Sequence, residues 1–370
     1  MSSCPTVYHY TTPPLRPADP PTPPPTEKPY VQAHRVVALF RRKEAGELRV
    51  QEPLTEFQLA PGEFAEIERL LGQNETLQGY TKDKIRYDYD SETHRLVVRM
   101  PTAVHELFIA RVEDAISNQL EPIRDGSDNA AAFARMLYPA RSTEIFFPDD
   151  NDPATTKAKR EPDTSFWHED ARYPGVIIEV AYSQRKERLD RLAESYILDS
   201  DASVQVVIGL AVDCGKNGSR RATLSVWRPK LHQTADGPEL LVVRDVVDAA
   251  FRDETGNATD HPGIQLRLSD FACQELTNGI IGDSERHISI SAQELCQHLA
   301  TAEDKTRREN SLVQHSLPSG IRKRKRSETP SDRMASDDEA KYATDEQRVE
   351  KRLAIEDSDY HDTSITSLSE

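Results

Sequence analysis

Cysteine, aromatic residues and long apolar runs are all scarce in this 370-residue sequence. The four cysteines lie far apart and form no Cys-x-x-Cys pair, which argues against a zinc finger and a disulfide scaffold and fits a reducing compartment. No segment approaches the roughly 18 consecutive apolar residues of a membrane-spanning helix, so we expect no membrane partner. The first residues carry no charged segment followed by an apolar one, so we also expect no secretory signal.

The sequence is too polar to be packed along its whole length, because hydrophobic residues make up 36% of it and charged residues 30%. We therefore expect one folded domain over residues 36–299, between two disordered segments. Residues 1–35 hold ten of the 24 prolines and predict a disordered arm, although a proline-dependent docking role stays open. The acidic, Ser-rich composition of residues 300–370 predicts a disordered tail.

Negative charge is unevenly distributed along the chain. The net charge is −16, and residues 327–370 alone hold 13 acidic against five basic residues. The net charge therefore says little about the surface of the folded part and does not exclude a nucleic-acid partner. Residues 322–326 form a run of five cationic side chains. Such a run could be recognised by a nuclear-import receptor or could contact phosphate groups. We expect the protein in the nucleus or the cytoplasm.

Hydrophobic periodicity between residues 36 and 299 alternates between helical and strand patterns. Residues 84–100 predict a β-hairpin, and residues 103–120 predict an amphipathic helix that Thr102 caps. Further helices are predicted at residues 59–72 and 185–198 and after a capping box at Ser291. Further strands are predicted at residues 144–147, 164–167, 176–182, 204–212, 223–227, 240–243 and 264–268. This order predicts a mixed α/β domain built on one main sheet.

Glu179 interrupts the otherwise apolar strand predicted at residues 176–182. Such a run is typical of a central strand covered on both faces, where a carboxylate is costly to bury unless its charge is compensated. Asp163 stands at the start of the strand predicted before it. Pairing of the two strands would bring both carboxylates to one edge of the sheet, where they repel each other unless a cation joins them. Mg²⁺ suits this position, because it takes hard oxygen ligands and can activate a water.

Pro162-Asp163, the strand with Glu179 and the helix that follows resemble the motifs of the PD-(D/E)XK nuclease superfamily. The sequence is similar in particular to a fungal branch related to bacterial restriction-endonuclease-like domains, in which the glutamate strand ends in a serine and the next helix carries a tyrosine. Here these are Ser183 and Tyr196. The resemblance covers residues 85–272 and implies a restriction-endonuclease-like core with flanking helices. It also implies a metal-dependent nuclease that hydrolyses phosphodiester bonds, and DNA is the expected substrate rather than RNA.

The resemblance further implies that Asp163 and Glu179 are ligands of Mg²⁺ or Mn²⁺, and that Glu106 is the helix-borne acid that supports them. The lysine that the motif places two residues after the glutamate is Ala181 here. That lysine normally positions or activates the attacking water and stabilises the charged transition state. Its absence makes a catalytically inactive nuclease fold, which binds nucleic acid or a protein, the alternative hypothesis.

A replacement for the lysine could come from the turn and helix after the glutamate strand. Gln184 is expected to orient a water, and Lys186 to orient it or to accept its proton, whereas an arginine stays protonated and cannot act as a base. Contacts with nucleic acid are expected from three basic residues of this segment: Arg185, Lys186 and Arg191. The same basic residues are also typical of a solvated helix face.

The acidic residues have structural interpretations as well. Asp163 follows a proline, a position suited to capping a turn. Glu179 could form an ion pair with an arginine, and Glu106 could be a solvated residue at a helix start. If both Asp163 and Glu179 are structural, no catalytic site remains. A third hypothesis is then an interaction scaffold whose arm and tail recruit partners. A homodimer would suit an enzyme that cuts two strands.

Overall fold

The computed structural model of the chain describes residues 30–47, 54–149, 156–182, 186–213, 218–235, 237–281, 284–308 and 311. Most of the predicted arm, the tail from residue 312 with its basic run, and the predicted site residues Gln184 and Arg185 lie outside the described residues. Within the described part, no helix is long and apolar enough to cross a membrane.

Helices and strands alternate through the described part of the chain, which confirms the mixed α/β prediction. The helices are α1 Val31–Glu44, α2 Glu63–Gly72, α3 Glu75–Lys84, α4 Ala103–Arg124, α5 Asn129–Arg135, α6 Lys186–Leu198, α7 Gln274–Thr277 and α8 Ala292–Arg307. The strands are β1 Leu54–Gln58, β2 Arg86–Asp90, β3 Arg95–Arg99, β4 Leu137–Pro139, β5 Ile145–Pro148, β6 Thr156–Arg160, β7 Thr164–His168, β8 Val176–Tyr182, β9 Val206–Val212, β10 Ala222–Thr234, β11 Gly237–Arg252, β12 Ile264–Arg267 and β13 His287–Ile290. A 3-10 helix, Leu268–Phe271, follows β12.

The prediction of one main sheet is wrong, because the strands form two large sheets and a two-stranded one. The six-stranded sheet has the order β11-β10-β9-β8-β7-β4. Its strands β7 and β8 are antiparallel, and β8 and β9 are parallel and joined through α6. The five-stranded sheet has the order β1-β3-β2-β6-β5 and is antiparallel throughout. Periodicity marks strands but does not say which sheet each strand joins.

Strand β8 is the buried central strand that its apolar run predicted. Val176 and Ile178 pack into the hydrophobic cluster that contains residues of α4, α5 and α8. Ile177 packs into the cluster with α6 on the other face. Because side chains alternate along a strand, Glu179 and Ala181 lie on the same face as Ile177, which is the face that α6 covers. The pleat of this strand therefore directs the predicted carboxylate towards α6.

The five-stranded sheet has a hydrophobic core of its own. Strands β2 and β3 are the predicted hairpin, with Tyr89 opposite Leu96. Residues of α1, α2 and α3 pack with those of β2 and β3 in one cluster. The five-stranded sheet and helices α1, α2 and α3 thus lie beside strands β7 and β8 of the six-stranded sheet.

Most predicted element starts are close to the observed ones. Thr102 caps α4 by accepting a hydrogen bond from the backbone N–H of His105, and Ser291 begins α8 with the predicted capping box. The helix predicted from residue 59 starts only at Glu63. Helix α1 starts at Val31, within the predicted arm, and α8 continues to Arg307. The regular structure thus extends past both predicted limits of the domain, 36 and 299.

A buried carboxylate, Glu63, joins the starts of α1 and α2. Its Oε1 accepts hydrogen bonds from the backbone N–H groups of Gln32 at 2.7 Å and Ala33 at 3.3 Å, and its Oε2 accepts one from Ala60 at 2.7 Å. The residue before α1, Tyr30, makes no side-chain cap. Glu63 therefore supplies the acceptor and the negative charge that the first turn of α1 otherwise lacks.

Replacing Glu63 with alanine is expected to lower the free energy of unfolding by about 2–3 kcal/mol, because one buried and two partly buried N–H groups lose a charged acceptor. Urea unfolding followed by circular dichroism measures this change. Glu66→Ala is the matched control on the same helix, since Glu66 pairs with Arg69 in the neighbouring turn, and it is expected to change stability far less. Equal losses in the two variants would contradict the capping role.

Candidate functional site

The carboxylates of Asp163 and Glu179 come together, as the pairing of two predicted strands indicated. Thr164 of β7 pairs with Ile178 of β8, so one step along the same antiparallel register brings Asp163 opposite Glu179. Both residues are buried, with 6% and 3% of their surface exposed. Asp163 Oδ2 accepts a hydrogen bond from the backbone N–H of Val180 at 2.8 Å, which fastens the residue before β7 to the neighbouring strand.

A guanidinium lies between these two carboxylates. Arg99 Nη1 donates to Asp163 Oδ1 at 3.1 Å and to Glu179 Oε2 at 3.3 Å. Its Nη2 donates to Asp88 Oδ1 at 3.4 Å. Arg99 ends β3 and Asp88 lies in β2, so a cation from the five-stranded sheet neutralises acids from the six-stranded one. The arginine ion pair that was one interpretation of Glu179 is therefore present.

The remaining oxygens of the two carboxylates also have partners. Asp163 Oδ2 lies 3.0 Å from His105 Nε2. The hydroxyl of Tyr196 donates to Glu179 Oε1 at 2.7 Å. His105 lies in the first turn of α4 and Tyr196 in α6, so two helices and both large sheets meet here. We call this group the Arg99 cluster; its members are Asp88, Arg99, His105, Asp163, Glu179 and Tyr196.

Asp88 connects the Arg99 cluster to a second arginine. Its Oδ2 accepts a hydrogen bond from Arg188 Nη2 of α6, and its Oδ1 accepts one from the backbone N–H of Glu161 at 3.1 Å. Arg188 is thus a basic residue of α6 that is turned towards the cluster. Two guanidinium groups and the imidazole of His105 face the carboxyl groups of Asp88, Asp163 and Glu179, so the buried charged groups have partners of opposite sign.

Burial and neighbouring charges shift the pKa values of the cluster in opposite directions. Burial and the charge of Asp163 raise the pKa of Glu179 to about 8. Burial alone would raise the pKa of Asp163, but His105 and Arg99 hold it well below its usual value. Burial alone would lower the pKa of His105, but the carboxylate of Asp163 raises it to about 10. His105 is therefore a cation at neutral pH, and Asp163 is its anionic partner.

The cluster does not fit a divalent metal ion between Asp163 and Glu179. The position that such an ion would take is filled by Arg99 Nη1, which lies within 3.3 Å of an oxygen of each carboxylate. The other oxygens of the pair face His105, Val180 N–H and Tyr196. Across the described residues, no group of three or more His, Cys, Asp or Glu side chains is arranged to hold a metal.

The other predicted site residues lie apart from the carboxylate pair. Glu106 is half-exposed and forms two hydrogen bonds with Arg86, at 3.0 and 3.4 Å. Its Oε1 also lies 3.5 Å from Nδ1 of His105, so it reaches the carboxylate pair through His105 rather than directly. Arg191 is exposed on α6 and lines a different surface depression, together with Asp90 and Arg95. Lys186 begins α6, but its side chain is outside the described part of the structure. Gln184 and Arg185 are outside the described residues.

The sequence interpretation missed two residues that contact the carboxylate pair, Arg99 and His105. Arg99 lies within residues 85–272, which the resemblance covers, but the resemblance assigns it no role. The only signal for it in the sequence is a positive charge at the end of the predicted hairpin. His105 stands one position before Glu106 on α4, and one residue corresponds to a rotation of about 100° around a helix. The helix was predicted well. The structure brings His105 rather than Glu106 into contact with Asp163, and the supporting role of Glu106 stays a prediction.

A groove with an empty volume of about 1230 Å³ opens on one side of Arg99. Its lining holds five cationic side chains against three acidic ones: Lys43, Lys82, Lys84, Arg86 and Arg99 against Asp83, Glu144 and Glu161. Glu144 and Glu161 each lie 2.7 Å from the buried ammonium of Lys159, whereas Lys82 and Lys84 are exposed. Arg86 and Arg99 are paired with carboxylates, so the positive charge that a ligand would meet in this groove comes from Lys43, Lys82 and Lys84, against the exposed Asp83.

A smaller pocket, with an empty volume of about 630 Å³, adjoins the groove. The two share Arg86, Arg99, Met100 and Pro101 in their linings. The pocket is also lined by Ala181 and by Leu189 of α6. Where the nuclease motif places a lysine, this chain thus has a small residue beside an open pocket.

Comparison with models of protein families and with curated proteins finds no match for this chain.

The His105–Asp163 contact is expected to make stability pH-dependent. The folded pKa of His105, about 10, exceeds the unfolded value of 6.5. The stability that His105 contributes is therefore fully present below pH 6.5 and is lost as the pH rises through about 10. The difference in melting temperature between the wild type and His105→Gln should be largest near pH 6 and should disappear by about pH 10. A difference that stays constant over this range would contradict the charged contact.

Proposed function

We propose that the chain is a restriction-endonuclease-like domain that binds DNA without cleaving it. The observation that carries this proposal is Arg99, whose guanidinium stands between the two carboxylates to which the motif assigns a metal ion. A resident cation removes the electrostatic need for Mg²⁺ at this position. Ala181 supports the same conclusion, because the water-positioning lysine of the motif has no counterpart there.

The order of the motif segments supports the restriction-endonuclease-like part of the proposal. The Asp163 strand is followed by the Glu179 strand, and then by a helix whose tyrosine contacts that glutamate. Strand β9 returns parallel to β8 and pairs along its whole length. The resemblance implies these same segments in the same order. In this chain their carboxylates hold the two large sheets together through Arg99.

The basic groove supports nucleic acid as the ligand. Phosphate groups are held mainly by lysine and arginine side chains, and such contacts do not require a particular base sequence. Lys82 and Lys84 are exposed on the last turn of α3, and Lys43 and Arg86 continue the same lining. The acidic excess of the chain does not oppose this, because half of it lies in residues 327–370. The choice of DNA rather than RNA in this proposal rests on the resemblance alone.

Metal-dependent hydrolysis of DNA, with Mg²⁺ or Mn²⁺, is the second candidate function. It is favoured by one observation, the direct opposition of Asp163 and Glu179 on neighbouring strands. It requires that Arg99 leave its position between them. Nuclear import through residues 322–326 and a homodimer also stay predictions.

DNA binding is expected to be strongly salt-dependent and to need the groove. Labelled single-stranded DNA is titrated at several salt concentrations and followed by fluorescence anisotropy. The double variant Lys82→Ala/Lys84→Ala should weaken binding and reduce the slope of log affinity against log salt by about 1 for each phosphate that loses its lysine partner. Lys230→Ala/Lys305→Ala removes two exposed lysines outside the groove and serves as the control. Equal effects of the two double variants would show that the groove is not the binding surface.

Cleavage assays with Mg²⁺ or Mn²⁺ separate the two candidate functions. Plasmid and single-stranded DNA should remain intact under conditions in which the wild type binds them. Cleavage by the wild type that Glu179→Gln abolishes would replace the proposal with the second candidate. Absence of any salt-sensitive binding would leave the interaction scaffold as the remaining hypothesis.

A further inference from the structure

An aromatic groove lies at the edge of the six-stranded sheet, beside its last strand, β4. We call it the Tyr138 groove. Tyr138 of β4 pairs directly with Trp167 of β7, so the two rings lie side by side on one face of the sheet. Tyr138 is 46% exposed. Trp167 Nε1 donates to the carbonyl oxygen of Ala171 at 2.8 Å, which fixes the indole ring. Pro139 and Ala140 add further apolar surface to the lining.

Hydrogen-bond donors stand beside the two rings. The hydroxyl of Tyr138 is one, and the guanidinium of Arg141 in the same lining is another. The side chain of Arg141 is 80% exposed, although it lies 3.4 Å from Glu113. Exposed aromatic rings with donors beside them suit a polyproline II helix, because the rings pack against prolines and the donors bind carbonyl oxygens that this helix leaves unpaired.

Residues 13–25 of the same chain, which precede the described residues, have the pattern of an amphipathic polyproline II helix. Such a helix has three residues per turn, so every third residue lies along one edge. One edge of this segment is proline throughout, a second is apolar, and the third carries the charged residues. The three edges are Pro14, Pro17, Pro20 and Pro23; Leu15, Ala18, Pro21 and Pro24; and Pro13, Arg16, Asp19, Thr22 and Pro25. Two edges can therefore pack on aromatic rings while the third stays in water.

The length of chain before Tyr30 lets this segment reach the groove. Helix α1 runs for about 20 Å from Tyr30 to its last turn, which holds Lys43. Lys43 and Thr143 line the basic groove, and Thr143 also lines the Tyr138 groove. Residues 14–23 precede Tyr30 by 7 to 16 positions, which corresponds to about 20–50 Å of polyproline II helix. A tether that matches the span gives even a weak ligand a high effective concentration.

We propose that residues 14–23 bind in the Tyr138 groove of their own chain as a polyproline II helix. The inference goes beyond the proposed function and does not depend on it, because no member of the Arg99 cluster lines this groove. The composition of the arm left a proline-dependent docking role open. The aromatic pair and the three-residue period of the prolines supply the site and the ligand for it.

The fluorescence of Trp167 tests the inference in the full chain. The chain has two tryptophans, and Trp227 is only 4% exposed, so quenching by acrylamide reports mainly on Trp167. The double variant Pro17→Ser/Pro20→Ser interrupts the proline edge and should increase the quenching, because the arm then leaves the indole ring. Neither substitution touches a residue of the described fold, so the result does not depend on how well a variant folds.

Pro13→Ser/Pro25→Ser is the matched control, since it removes the same number of prolines from the edge that carries Arg16 and Asp19. It should be quenched as the wild type is, at every protein concentration. Equal quenching of the wild type and both variants would show that the proline edge does not cover Trp167 and would overturn the inference. Protection that increases with protein concentration would also overturn it, and would assign the groove to the arm of a second copy.

A labelled peptide of residues 13–25 tests the groove itself. Followed by fluorescence anisotropy, it should bind full-length Pro17→Ser/Pro20→Ser more tightly than the wild type, whose own arm competes. Adding Tyr138→Ala to that variant should weaken peptide binding by about tenfold, because a contact tyrosine is lost. Phe146→Ala is the control, since Phe146 is similarly exposed, at 48%, and lies outside the groove. Equal effects of the two aromatic substitutions, or equal binding without and with the competing arm, would overturn the inference.

Discussion

Replacing Arg99 with methionine is expected to lower the free energy of unfolding by about 3–5 kcal/mol, because the change leaves buried charges without their partner. Asp88, Asp163 and Glu179 all lose a hydrogen-bond donor. Methionine keeps much of the volume of the arginine stem, so the loss reports on charge more than on packing. Urea unfolding followed by circular dichroism measures the change in free energy.

Arg95→Met is the matched control for this prediction. Arg95 lies in the same strand as Arg99 and pairs with Glu56 on a partly exposed surface, where an ion pair contributes little. We expect its effect to be a small fraction of the effect at Arg99. If the two variants lost the same stability, Arg99 would not be the cation on which the buried carboxylates depend.

The same measurement distinguishes the resident cation from a metal site. Mg²⁺ should leave the unfolding midpoint of the wild type unchanged, because a ligand stabilises a protein only if it binds the folded state. An increase in the midpoint that is lost in Glu179→Gln would instead support the metal-dependent candidate. The effect of Mg²⁺ on stability therefore distinguishes the two candidate functions independently of the cleavage assay.

Replacing Gly175 with alanine is expected to destabilise the protein by at least about 3 kcal/mol, because the added methyl group has no space. A Cβ atom at Gly175 would lie 2.0 Å from the carbonyl carbon of Phe271 and 2.4 Å from the backbone N of Ala272. These are backbone atoms, which cannot turn aside as a side chain can. Gly175 precedes β8, so the close approach also sets the position of the strand that carries Glu179.

Gly79→Ala is the matched control for Gly175→Ala. Gly79 lies within α3, and nothing stands within 4 Å of the position that its Cβ would take. Alanine should therefore stabilise the helix by about 0.5–1 kcal/mol. Thermal and urea unfolding of the two variants should move in opposite directions. A Gly175→Ala protein as stable as the wild type would show that the backbone of Phe271 does not pack tightly against this glycine.

The local elements were predictable because their signals are local. The helix α4, its cap Thr102 and the hairpin of β2 and β3 follow from periodicity and from capping chemistry within a few residues. The assignment of strands to sheets was not predictable in this way. Strand pairing depends on contacts between distant residues, and this chain distributes its strands over two large sheets instead of the single sheet that was expected.

The prediction of the site was uneven for a related reason. Asp163 and Glu179 were found because consecutive paired strands place their ends side by side. Glu106 was chosen on α4, yet its neighbour His105 makes the contact with Asp163. Arg99 and Asp88 arrive from a strand pair more than 60 residues earlier in the chain. No pattern within the motif segments indicates that these residues reach the carboxylates.

The sequence by itself determined that one buried strand carries a carboxylate that needs a compensating charge, and that a second carboxylate faces it. Only the tertiary structure decided which cation meets that need. A buried carboxylate needs an opposite charge close to it, and any helix or strand that packs against it can supply that charge. Here the packing of the five-stranded sheet against β7 and β8 brings Arg99 into the position where the motif alone implies a metal ion.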